Sequence, residues 1–167
     1  MALVQQEIAN HKLNLVMWPA VRNATRPFMG ISQAHKRVVR YARRLKQDMV
    51  CVAEDDFHLT APGAWEYFLQ NIPTVFDIYL SGIYFGYINK ENVVKQFCGL
   101  HLYIVHNRFY NTFLSIDENN NLDQALNGKG KFVVCDPFIA IQHDGYSDHK
   151  GKHATYGHLL KGRRIYK

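Results

Sequence analysis

No stretch of this sequence approaches the roughly 18 consecutive apolar residues of a membrane span. The start, Met1-Ala2-Leu3-Val4-Gln5-Gln6-Glu7, has neither the basic end nor the apolar region of a signal peptide. A cytoplasmic location is the default expectation. Cysteine is sparse and odd in number: Cys51, Cys98 and Cys135 are far apart. No C-x-x-C spacing occurs, which excludes a zinc knuckle or a disulfide framework and leaves buried free thiols. Proline is scarce, with 5 residues, against ten Tyr and ten Phe. With 47% hydrophobic residues, that composition excludes disorder and fits a packed core. The length of 167 residues fits a single domain over the whole chain. No repeat or linker divides it. Acids are outnumbered, 14 against 20 Lys and Arg, for a formal charge of +6. This suits anionic ligands without naming one.

The most informative stretch is Met49-Val50-Cys51-Val52-Ala53-Glu54-Asp55-Asp56-Phe57. An apolar run with β-branched residues reads as a strand buried on both faces, as in a parallel sheet. It ends in three acids. Carboxylates crowded at a strand end repel unless a cation neutralises them. In open α/β sheets ligands bind outside the carboxyl ends of the strands. The triplet therefore fits an oxygen-ligand site for a divalent cation, or acids that are solvated or cap the next turn.

Along the chain, Leu3 to His11 has helical composition and Leu13–Trp18 alternates like a strand closed by Pro19. Arg22 to Met29 reads as a loop. Ser32 is a good N-cap for a helix with Ala34, Val38, Val39, Ala42 and Leu45 at helical spacing. Lys36, Arg37, Arg40, Arg43, Arg44 and Lys46 form its other face. A solvated face is the plainer reading than a nucleic-acid surface, because only Tyr41 is interleaved with the charges. Thr60-Ala61-Pro62-Gly63 opens another helix with Trp65, Phe68 and Leu69 inward. Asp77 to Gly82 reads as a strand and Ile83 to Lys90 as a loop. Phe97 to Val105 is a further strand, followed by a helix from Arg108 to about Ile116 capped by Asn107. After a polar loop come a short turn at Leu122–Leu126, a strand at Lys131–Cys135 and an extended segment from Pro137 to Gln142. The tail from His143 is polar and rich in Gly, His and Lys. Helices alternate with strands, so the class is α/β with a mainly parallel sheet flanked by helices.

In that order the motifs resemble a family. Gly30-x-x-x-x-His35 opens a helix, the strand ends Glu54-Asp55-Asp56, and Asp77-x-x-x-Leu-Ser-Gly82 follows. Next come Gly99-x-x-x-Tyr103-Ile104-Val105, Leu122-Asp123, and Pro137-x-x-x-x-Gln142 with Ser147-Asp148. The series resembles the family-25 glycosyltransferases, which include lipooligosaccharide and procollagen galactosyltransferases, over about residues 18 to 148. The resemblance implies a GT-A fold, a nucleotide-sugar donor (UDP-linked), a glycan-like hydroxyl acceptor and a divalent cation, Mn²⁺ or Mg²⁺. It makes Asp55 and Asp56 the metal carboxylates, with Glu54 or Asp55 on the ribose or a metal-bound water. A bridging cation stabilises a diphosphate leaving group without proton transfer. His143 resembles the C-terminal His that completes such metal sites, with Asp144 and Asp148 as further candidates; a solvated tail histidine is the alternative. Asp123 stands where the family places an Asp and is the candidate base at the acceptor, or else a helix-start cap. Asp117 and Glu118 are lesser candidates. Ser81 and Gly82 would approach the donor. His35 is a structural histidine or part of the site. Lys150, Lys152, Lys161, Arg163 and Arg164 form a flexible basic tail that either folds over the diphosphate or only adds solubility.

Against the family pattern, the first strand with its basic motif is absent or severely reduced before Leu3. An enzyme completed by a partner, such as a second copy, and a non-catalytic GT-A-like binding or assembly protein therefore stay open beside a minimal enzyme. The basic helix keeps a metal-dependent nuclease or nucleic-acid binder as the third reading.

Overall fold

The structure is a computed structural model that describes residues 2–147 and 151–167. Asp148 and Lys150, candidates for the metal and the donor, lie outside the described residues. The helices are α1 (Ala2–His11), α2 (Pro27–Arg44), α3 (Ala64–Gln70), α4 (Tyr110–Ser115) and α5 (Leu122–Leu126). The strands are β1 (Met49–Ala53), β2 (Phe57–Leu59), β3 (Ile78–Leu80), β4 (Phe85–Ile88), β5 (Val93–Cys98) and β6 (Leu102–His106). They continue with β7 (Phe132–Val134), β8 (Ala140–Gln142), β9 (Gly145–Ser147) and β10 (Lys152–Ala154).

Successive side chains of a strand point to opposite faces, and the central strands use both. Ile78, Leu80, Tyr103, Val105, Phe132 and Val134 pack with Val39 and Ala42 of α2, Phe113 of α4, and Leu122 and Leu126 of α5. The alternate residues Tyr79, Leu102, Ile104, Val133 and Cys135 pack with Val4 of α1 and Ala64 and Phe68 of α3. The result is an α/β protein with helices on both faces of a six-stranded sheet ordered β1-β6-β3-β7-β5-β4. No helix among the described residues is long and apolar enough to cross a membrane.

The sheet is mixed, which corrects the mainly parallel expectation. Only β3 and β7 are parallel neighbours; β1–β6, β3–β6, β5–β7 and β4–β5 are antiparallel. Parallel neighbours need a crossover of a dozen or more residues, whereas short connections permit only antiparallel returns. The chain from β3 through β6 has such short connections. What reads as one strand from Phe97 to Val105 is β5 and β6, broken at Gly99, whose φ of 110° few other residues adopt. The expected loop at Ile83–Lys90 contains β4. Strand β1 is an edge strand and is not buried on both faces: Met49 and Cys51 are exposed and Val52 is buried.

Other elements differ for local reasons. Leu13–Trp18 forms no strand; Leu13 is buried while Val16 is 78% exposed, and the segment pairs with no strand among the described residues. Helix α2 starts seven residues before Ala34, at Pro27, a residue suited to a first turn. Ser32 therefore lies inside the helix, buried, and caps nothing. Gly63, with φ 82°, precedes α3 in place of Thr60, and Leu69 faces outward. The described residues of the tail pair more than expected. Strands β9 and β10 pair, Phe138 N–H donates to Arg164 O, and Tyr166 N–H donates to Phe138 O.

Candidate functional site at the acidic turn

Strands β1 and β3 both run antiparallel to β6, and β7 runs with β3. All three therefore point one way, and their carboxyl ends carry Glu54, Ser81 and Cys135. This edge is locked by Glu54 N–H to His101 O (2.8 Å), Ser81 N–H to Leu102 O (3.0 Å) and Cys135 N–H to Leu80 O (2.8 Å). Beyond β1 the chain turns through Glu54-Asp55-Asp56 into β2, which pairs antiparallel with β8 so that Phe57 stands opposite Gln142.

That pairing places Gln142 over the acids. Its Nε2 donates to Glu54 Oε2 at 2.9 Å and to Asp56 Oδ2 and Oδ1 at 3.0 and 3.1 Å. Its backbone N–H donates to the Tyr84 hydroxyl at 2.7 Å, and Tyr84 stacks on Tyr156 with ring centres 5.0 Å apart. From the other side, His35 Nε2 lies 3.4 Å from Glu54 Oε1, and His35 Nδ1 bonds the Tyr103 hydroxyl at 2.8 Å. Glu54 is thus fixed at both oxygens. Asp55 is exposed to solvent.

The electrostatics divide the acids. Burial works against ionisation of Glu54, but the His35 hydrogen bond and the His35 and His101 charges outweigh it and hold the carboxyl below its ordinary range. Asp56 goes the other way. Burial and the Glu54 charge push it up to about 6, against the pull of the Gln142 hydrogen bond. Among the described residues the three carboxylates do not converge as a three-ligand cage. A hard cation here would be held by one or two carboxylates, its other positions left to water or phosphate oxygens, which is the usual manner of Mg²⁺.

The other expected site residues are placed as follows. Ser81 and Gly82 are buried rather than open to a donor, because the Phe138–Ala140 segment covers them. A Cβ on Gly82 would lie 2.9 Å from Ala140 O, so that glycine serves close packing. Asp123 Oδ2 accepts from Gly99 N–H at 3.1 Å and Oδ1 from Gln124 N–H at 2.7 Å, which ties α5 to the break between β5 and β6. Glu118 pairs with Gln33 at 2.9 Å, and Asp117 holds Asn119. His143 donates its backbone N–H to Asp56 O at 2.8 Å. Its imidazole, however, lies with His58 and Glu7, the ring centres of the two histidines 4.7 Å apart. Arg163 Nη2 donates to Gly86 O, and Arg164 pairs with Asp136. Lys152 and Lys161 are exposed.

Three features were not legible as site components. Tyr84 sat in an expected loop. His101 is 1% exposed, with Nε2 2.9 Å from Ala140 O and Nδ1 unpartnered among the described residues. Glu7 and His58 gave only weak signals: the Glu7/His11 spacing of four, and a histidine two residues past the acids. The basic face of α2 also differs. Lys36 is buried on Ile116 O and Glu118. Trp18 packs edge-on against Tyr41, so a second aromatic joins the Arg row. Trp18, Tyr41, Arg37, Arg40, Arg43 and Arg44 line a groove of about 650 Å³. A wider cavity of about 820 Å³, lined by residues such as Phe28, Asp117, Asn120 and Lys129, includes none of the acids of the turn.

No family model and no curated protein matches this chain. HddC from Yersinia pseudotuberculosis, solved in complex with GMP-PN, is similar over 84% of this chain and 67% of its own. Its identity to this chain is 12% and its TM-score 0.45. At that score the likeness assigns neither a fold family nor an activity.

Proposed function

We propose that the chain is a metal-dependent, GT-A-like glycosyltransferase, akin to family 25, that moves a hexose from a UDP-linked donor to a glycan-like hydroxyl. The observation that carries this reading is the convergence of residues far apart in sequence on one acidic turn. His35, Tyr103 and Gln142 orient Glu54 and Asp56 at the carboxyl edge of three co-directional strands. The donor set fits the cation that the reading requires: hard carboxylate oxygens, one of them on the exposed Asp55, and an Asp56 whose ionisation a nearby positive charge would favour. When bound, Mn²⁺ or Mg²⁺ supplies positive charge to the departing diphosphate.

The chain's own residues have distinct parts. Asp55 and Asp56 would hold the cation. Glu54, kept ionised by His35, faces the ribose or a metal-bound water. Gln142 sets the angle of Asp56. Asp123 is assigned to the acceptor side, where it takes the hydroxyl proton as the new C1–O bond forms and the bond to the diphosphate breaks. Titration calorimetry tests this. UDP is expected to bind with Mn²⁺ present and far more weakly without it, and Asp56→Ala is expected to lose the metal-dependent part. No UDP affinity with Mn²⁺ sinks the reading, as does affinity unchanged in Asp56→Ala.

One observation favours a second reading, a non-catalytic binding protein of the same fold. The Gln142 amide already satisfies both Glu54 and Asp56, so the turn is closed without a cation. UDP binding that does not depend on Mn²⁺, with no transfer from or hydrolysis of a UDP-sugar, would select it.

A further inference from the structure

The acidic turn is not where nitrogen ligands gather. Glu7, from α1, is 3% exposed, and no Lys or Arg pairs with it among the described residues. Its carboxylate accepts Leu59 N–H on Oε2 at 2.9 Å and lies 2.9 Å from His58 Nδ1 through Oε1. His11, one helical turn on, has Nε2 3.7 Å from Oε2. Across the β2–β8 ladder His143 stands opposite Asp56, two positions from the partner of His58, so both imidazoles share one face. Ligand atoms of Glu7, His58 and His143 all lie within 4.8 Å of one another.

We propose that Glu7, His58 and His143 bind a borderline transition-metal ion, Zn²⁺ foremost, at a site separate from the acidic turn. The ligand chemistry decides the class. Two imidazoles and one carboxylate suit Zn²⁺, Co²⁺ or Ni²⁺, whereas Mg²⁺ and Ca²⁺ prefer oxygen alone. The distances need modest closure, because ligands about 2.1 Å from a tetrahedral ion stand roughly 3.4 Å apart. The open surface at His58, whose side chain is 39% exposed, leaves room for that movement. The ion supplies the charge that a buried carboxylate otherwise lacks. It joins three segments: α1, β2, and the chain just after β8. Leu59 N–H, bonded to Glu7, orients the carboxylate as outer partners do in metal sites.

The test uses the full chain freed of metal with a chelator. Zn²⁺ is expected to bind at one equivalent and to raise Tm by about 5–10 °C at a hundredfold excess over Kd. Mg²⁺ is expected to leave Tm unchanged without UDP. Co²⁺ gives the visible absorption of a tetrahedral nitrogen–oxygen site. His58→Ala, His143→Ala and Glu7→Gln are each expected to weaken Zn²⁺ binding at least tenfold; Glu7→Gln keeps an acceptor for Leu59 N–H. Asp56→Ala retains full Zn²⁺ affinity, which separates this site from that of the proposed transferase. Absence of a Tm rise with Zn²⁺, Co²⁺ and Ni²⁺ overturns the proposal. So does full affinity in His58→Ala, a change at a partly exposed position that preserves the fold, or loss of Zn²⁺ in Asp56→Ala alone.

Discussion

At Asp56, burial and a neighbouring charge act together against ionisation. Its carboxyl is pushed up to about 6 from the ordinary 3.8 by burial first and the Glu54 charge second. The folded state therefore holds this proton more tightly than the unfolded chain does. Stability contributed by the protonated form is present in acid, falls as pH rises through the interval from 3.8 to about 6, and is gone above it. The shift corresponds to at most about 3 kcal/mol; with partial exposure, about 1–2 kcal/mol is expected. Asp56→Asn, without added metal, should stabilise the protein by that amount at pH 7.5 and give no gain at pH 4. Urea unfolding at the two pH values checks it, and a gain equal at both would show that the Asp56 charge is not the cause. The acids were legible in the sequence because three carboxylates after an apolar run have few explanations. Their separate fates were not, because Gln142, His35 and Tyr84 reach them only through tertiary contacts. Ser81 and Gly82 show the converse: a position after a strand was legible, but the Phe138 segment that covers it was not.

At the scale of elements, Gly30 shows why a motif position need not be chemical. It lies within α2, where alanine is intrinsically better than glycine by about 1 kcal/mol. Yet a Cβ there would stand 2.1 Å from Val21 O and 3.2 Å from Val21 C. The incoming chain crosses the helix at that point, and only a bare Cα lets it pass. Gly30→Ala should therefore destabilise by about 1–3 kcal/mol despite its propensity gain. By displacing the Val21 segment it should also loosen Trp18 from Tyr41, read as a change in tryptophan emission. Unchanged stability would mean that the segment yields freely. The elements that periodicity made legible are those whose burial is local, such as α2 with Val39 and Ala42 inward and α4 with Phe113 inward. The elements that were missed depend on strand pairing, which periodicity does not report. β4 is read as a loop until β5, just across a short turn, pairs with it, and Leu13–Trp18 looks like a strand but pairs with no strand among the described residues. The direction of β6 also escapes periodicity, because antiparallel and parallel strands alternate alike; the return at the β4–β5 turn, carried on through the break at Gly99, decides it.

At the scale of the whole molecule, the C-terminal tail acts as a strap behind the acidic turn. Ile165 bridges to Phe138, Arg164 O accepts Phe138 N–H, and Arg164 pairs with Asp136. Tyr166 N–H donates to Phe138 O at 2.9 Å, and its ring lies 4.9 Å from that of Tyr67. Phe138 in turn opens the segment that covers Ser81 and leads through Ala140 to Gln142. Backbone bonds on both sides of Phe138 therefore fix the start of the strand that positions the amide over Glu54 and Asp56. Removing residues 162–167 takes away these bonds together with the packing of Ile165 and Tyr166. The loss should cost about 2–4 kcal/mol, a fall in Tm of roughly 5–15 °C for a chain of this size. If the strap also sets Gln142, the truncated protein should bind UDP with Mn²⁺ at least tenfold more weakly at a temperature where it is still folded. Weaker binding with an unchanged Tm would place the tail at the ligand itself, as the basic-lid expectation held. A lower Tm with unchanged UDP affinity would show that the strap serves stability alone, and that β2 suffices to hold Gln142 over the acids.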